Sequence, residues 1–148
     1  MSSVITWNVR LDDEKDFTNT PERYLGTAAA GKGLNARLRL WNNRYGTSDE
    51  ATLRNFAIRG SFSSIEDSAL LKYCTLSFEG NVLPSQITGN HVIFTVPKTL
   101  QLKGTANNGL TSENKSHYAD FDFSFTVPGE ARIKENDLKD MYLEVIHI

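Results

Sequence analysis

Residues 33–46 run Gly-Leu-Asn-Ala-Arg-Leu-Arg-Leu-Trp-Asn-Asn-Arg-Tyr-Gly, and no other stretch limits the possible folds as sharply. Leu34, Ala36, Leu38 and Leu40 fall on one side. Asn35, Arg37, Arg39 and Trp41 fall on the other. A repeat of two belongs to a strand with one buried face. The same repeat returns near the end of the chain, where Phe121, Phe123, Phe125 and Val127 alternate with Asp120, Asp122, Ser124 and Thr126. A helix would scatter these apolar residues around its circumference, so both segments read as half-buried strands.

Six more short segments follow the same rule. Ile5, Trp7, Val9 and Leu11 open the chain, with Trp7 in phase with the core. Phe56, Ile58, Gly60 and Phe62 form another strand, and Cys74, Leu76 and Phe78 the next. Val92, Phe94 and Val96 follow a Gly89-Asn90 hairpin turn and end at Pro97, which lacks a ladder donor. Leu100 and Leu102 make a short strand, and Met141, Leu143 and Val145 make the last. Signals for a short helical turn occur at three places. The first follows Thr47 or Ser48 and holds Glu50, Leu53 and Arg54; the others cover residues 63–71 and 135–139. Two long connections, 17–32 and 104–117, lack periodicity; loops of that length are usually functional or interface-forming. The prediction is an all-β antiparallel sandwich, jelly-roll or immunoglobulin-like in winding, with one or two helical turns.

Totals narrow the function. With 148 residues, the chain is one domain, 1–148, and buries roughly 70% of its unfolded surface. The net charge is −2, from 16 basic and 18 acidic residues. Such a balance offers no phosphate-binding excess, so nucleic acid is not expected as a partner. The single cysteine, Cys74, alternates with Leu76 and Phe78 and reads as a small core hydrophobe. One cysteine forms no internal disulfide, and the first residues lack the charged and apolar regions of a signal peptide. Folding in a reducing cytoplasm is the expectation, and no run reaches the ~20 apolar residues of a membrane helix.

Chemical motifs are weak. Residues 26–33 have the glycine and lysine spacing of a phosphate-binding loop, but Gly33 stands where Ser or Thr would hold magnesium, and a strand follows where a helix is required. His91, His117 and His147 lie in separate segments, too few and too scattered for a zinc site. Asp12, Asp13, Glu14 and Asp16, with Asp120 and Asp122 as further oxygen donors, lack calcium-loop spacing, and the first four read as a solvated acidic turn. Gly60-Ser61-Phe62 is not a nucleophile elbow. No cofactor, metal or catalytic group is expected. The remaining signal is Trp41-Asn42-Asn43-Arg44-Tyr45 at a strand end, where an aromatic and an arginine beside amides suit a protein interface or a sugar ring. Packing of Trp41 beneath a second layer weighs equally. Tyr24 and Tyr118, in or beside the long connections, complete the interface candidates.

The stretches Leu38-Arg39-Leu40-Trp41-Asn42-Asn43-Arg44-Tyr45-Gly46 and Ile133-Lys134-Glu135-Asn136-Asp137-Leu138-Lys139 carry a family resemblance. Together with the strand-dense layout, they are similar to small β-sandwich structural proteins in tail and baseplate regions of phages of Gram-positive bacteria. The resemblance implies a non-enzymatic virion component that packs in a ring and docks neighbours through its loops. Its implied partners are copies of itself and other structural proteins. The alternative is a carbohydrate-binding sandwich module for host or glycan attachment. Under the first reading, Trp41→Ala combined with Arg44→Ala is expected to leave the fold intact and weaken association.

Overall fold

The computed structural model describes residues 5–9, 16–17, 33–62, 71–106, 115–126 and 141–148. Ten strands lie within them: β1 (Ile5–Val9), β2 (Asp16–Phe17), β3 (Gly33–Asn42), β4 (Phe56–Phe62), β5 (Cys74–Phe78), β6 (Asn81–Val82), β7 (Ser85–Thr88), β8 (His91–Thr95), β9 (Tyr118–Thr126) and β10 (Met141–His147). They form two antiparallel sheets, with strand orders β2-β1-β3-β9-β5-β6 and β10-β4-β8-β7. The predicted all-β sandwich is therefore the observed architecture. Chain connections pass between the sheets at β3–β4, β4–β5, β6–β7, β8–β9 and β9–β10, so most ladders join strands distant in sequence.

The predicted alternation places the core between the sheets. Leu38 stands opposite Phe121, Ala36 opposite Phe123, and Leu76 across from Phe123 on the other side. Trp7, Leu38, Leu40, Leu76, Phe121, Phe123 and Phe125 face Phe56, Ile58, Val92, Phe94 and Leu143 of the second sheet in one buried cluster. Phe78 and Val145, also expected inside, pack against it half-buried. Phe121 is gripped by Trp7 and Phe78, at ring separations of 6.3 and 5.4 Å. Truncating a fully buried phenylalanine such as Phe123 to alanine costs about 3–5 kcal/mol, from lost transfer energy and the cavity left behind. Burial pushes the Cys74 thiol up to about 12, consistent with its reading as a small core hydrophobe.

The turns match their chemistry. Glu79 and Gly80 link β5 to β6 with φ of 52° and 81°, the two positive angles of a type I′ hairpin. Gly89 takes φ 58° at the first position of the β7–β8 turn. Elsewhere the sequence misleads. The segment after Ser48 is not helical: Leu53 forms a bridge to Leu102, with bonds of 2.8 and 3.0 Å in the two directions. Leu102 provides only that bridge and not a strand. A distant carbonyl outcompetes a local turn that has a few residues to support it. Of the expected helical turn at 63–71, only its last residue is described; residues 71–73 are in a 3-10 turn and Leu71 is buried. A second 3-10 turn, Lys115–His117, leads into β9. The turn at 135–139, the resembling stretch 133–139, most of the 17–32 connection and the acidic turn before Asp16 lie outside the described residues.

Candidate functional site

β3 ends at Asn42, and the corner beyond it gathers most of the predicted interface residues. Parity places Trp41 on the outer face of the six-stranded sheet, as expected, opposite Tyr118 and beside Thr6. Of the two placements weighed for it, exposed or packed, it takes the packed one. Trp41 is only 1% exposed, and Arg39 and Arg44 are buried with it. The Tyr118 ring lies 4.7 Å from the Trp41 ring at 53°. The Arg39 guanidinium sits 3.8 Å over Tyr118 and 5.7 Å from the Trp41 centroid. Arg44 stacks at 4.8 Å on Trp41 and 5.0 Å on Tyr45. Asp120 anchors the stack, accepting from Arg39 Nε at 2.8 Å and from its Nη2 at 3.2 Å. Two guanidinium planes thus exclude water from the indole and gain the attraction of cation over ring. Arg37–Asp122, the next ladder pair outward, is solvent-exposed and contributes little.

The two asparagines are spent on the fold. Asn42 points to the core side and donates from Nδ2 to the Ala51 carbonyl at 3.1 Å and the Leu102 carbonyl at 2.9 Å. Asn43 adopts φ 58°, a left-handed conformation that asparagine tolerates better than most residues. Its amide donates to Ser48 at 2.9 Å and Gly104 at 2.6 Å. Glu50 N–H adds a bond to the Gly104 carbonyl at 2.7 Å. Gly104 has to be glycine, since a Cβ there would lie 2.6 Å from the Ala51 carbonyl oxygen. Segments 43–53 and 102–104 are thereby clasped to the end of β3.

His117 lies buried beneath this clasp, with Nε2 3.0 Å from Thr105 Oγ1. Among the described residues its Nδ1 has no hydrogen-bond partner. Burial, and secondarily the Lys103 charge, holds its pKa below the ordinary histidine value.

What the corner shows to solvent is Tyr45, 48% exposed, with half-buried Tyr118 behind the stack. Trp41, Asn42, Asn43 and Arg44 are thus corrected from surface candidates to supports of Tyr45, and Tyr24 lies outside the described residues. Loss of both Trp41 and Arg44 is accordingly expected to destabilise the fold, not to spare it. Sequence reasoning gave Arg39, Asp120 and His117 no part in this corner. Asp120 was visible as the outward partner of Phe121, but only the register places it opposite Arg39. Among the described residues, no group of three or more His, Cys, Asp or Glu side chains converges, and no helix is long and apolar enough to cross a membrane. Compared with models of known protein families and with curated proteins, the chain matches none.

Proposed function

We propose that this chain is a non-enzymatic structural protein that works by association, as a component of a phage tail or baseplate ring contacting copies of itself and neighbouring proteins. The observation that carries the reading is the corner at Tyr45. A half-exposed aromatic is held on a loop fixed by four side-chain-to-backbone bonds and an arginine stack. A plain connection does not need that much fixing. Docking does, because a side chain already ordered loses little entropy on binding, and tyrosine is among the residues that dominate interface energies. The virion assignment itself rests on the resemblance of residues 38–46 and 133–139.

A sugar-binding role draws on the same Tyr45. It is the weaker reading, because the indole that would widen the platform is buried and the Asn42 and Asn43 amides are bonded to backbone. Tyr45→Ala separates the two. It leaves the circular dichroism spectrum unchanged and, if the association reading holds, weakens assembly of the purified chain or of particles containing it. Normal assembly together with lost binding on a glycan array would transfer the function to carbohydrate recognition.

A further inference from the structure

β7 closes one edge of the four-stranded sheet, and among the described residues its only ladder partner is β8. All four of its residues are exposed. The hairpin register settles where its backbone groups point. A two-residue loop makes Thr88 and His91 a bonded pair, and bonded and non-bonded pairs then alternate along the ladder. Gln86 bonds Ile93, and the Pro84 carbonyl accepts from Thr95 N–H at 2.9 Å, in keeping with that alternation. Ser85 and Ile87 are the non-bonded positions, so their N–H and C=O groups point away from the sheet. Ile87 stands opposite buried Val92, on the core-facing side, yet is 49% exposed. The core face therefore extends one residue beyond its cover.

Open edges are normally blunted by charge, proline or a bulge. The opposite edge, β10, carries Glu144 paired with Arg59 at 3.1 Å. Residues 80–90 contain no charged side chain at all. Pro84 does not blunt β7, because its position faces β8 and its carbonyl is already engaged there.

We infer that β7 is a self-association edge that pairs antiparallel with β7 of a second copy across a two-fold axis. The inference deepens the assembly reading above and rests on it. With Gln86 opposite Gln86 of the copy, Ser85 of each chain faces Ile87 of the other. All four outward groups of each strand then find partners, giving four backbone hydrogen bonds. Ile87 of each chain lies beside Ser85 and diagonal to Ile87 of the other, covering the exposed apolar rim. The same patch serves both chains, as an isologous contact requires. A copy brings the same uncharged strand, so no charge is stripped of water against Ile87, a cost that a charged foreign strand would carry; a second copy is therefore the favoured occupant.

Sedimentation velocity over a concentration series, with amide hydrogen exchange, tests this on the intact chain. The wild type forms dimers, and Ile87→Lys raises the dimer dissociation constant at least tenfold with unchanged circular dichroism. Thr75→Lys, an exposed change on the other sheet, has no effect. Ser85 and Ile87 amides gain protection with concentration, while those of Gln86 and Thr88 are protected throughout. Dimers indifferent to Ile87→Lys, with Ser85 and Ile87 exchanging freely, overturn the edge but leave assembly through Tyr45 standing. A chain that stays monomeric, with these amides protected only by a different protein, overturns the second copy as occupant.

Discussion

Replacing Asn43 tests whether the corner is held by its amide or by its backbone shape. Asn43→Ala removes two donations to main-chain carbonyls, to Ser48 and Gly104. Each such bond contributes about 0.5–1.5 kcal/mol net, so the pair contributes about 1–3 kcal/mol. Alanine must also hold φ near 58°, which adds about 1 kcal/mol for a residue with a Cβ and no polar group to compensate. The expected total is about 2–4 kcal/mol. Asn43→Gly loses the same bonds without that conformational penalty, so it should fall about 1 kcal/mol short of the alanine variant. The assay is urea unfolding followed by tryptophan fluorescence, since Trp41 borders the corner and Trp7 lies in the core. At ~1–3 kcal/mol per molar urea, the alanine midpoint drops by about 1 M or more. An alanine variant within about 0.5 kcal/mol of wild type on this scale would refute the clasp, and one as stable as the glycine variant would refute the conformational penalty at φ 58°.

Two further outcomes follow from the same corner. Trp41→Ala opens the outer stack and should destabilise the chain by about 3–5 kcal/mol, measured in the same unfolding assay; a near-neutral result would mean that the indole is dispensable packing. His117 has its folded pKa held below its unfolded value, so the unfolded chain takes up the proton first. Stability should be full above the unfolded value of about 6.5 and fall as pH drops below it, levelling once the folded histidine also protonates. Thermal melts between pH 7.5 and 5.5 should show this slope, and His117→Gln should flatten it.

Much of the sandwich was legible without coordinates, because period two needs only local geometry. Once Leu38 and Phe121 each sit on an apolar side, hydrophobic burial forces those sides together, whatever the winding. The short edge strands β2, β6 and β7 escaped, since two to four residues offer too little repeat and edges need not be apolar on one face. The corner was half legible. Alternation set Trp41 on the outer face, but whether an outer residue meets water depends on its neighbours in the adjacent strands. Tyr118 and Asp120 reach it from 77 or more residues away through the β3–β9 ladder. Asn42 and Asn43 read as free amides until residues 102 and 104 arrive with their carbonyls. Sequence by itself determined which side chains seek the core. Only the tertiary structure decided which polar and aromatic groups satisfy one another, because those partners come from strands that the chain order keeps apart.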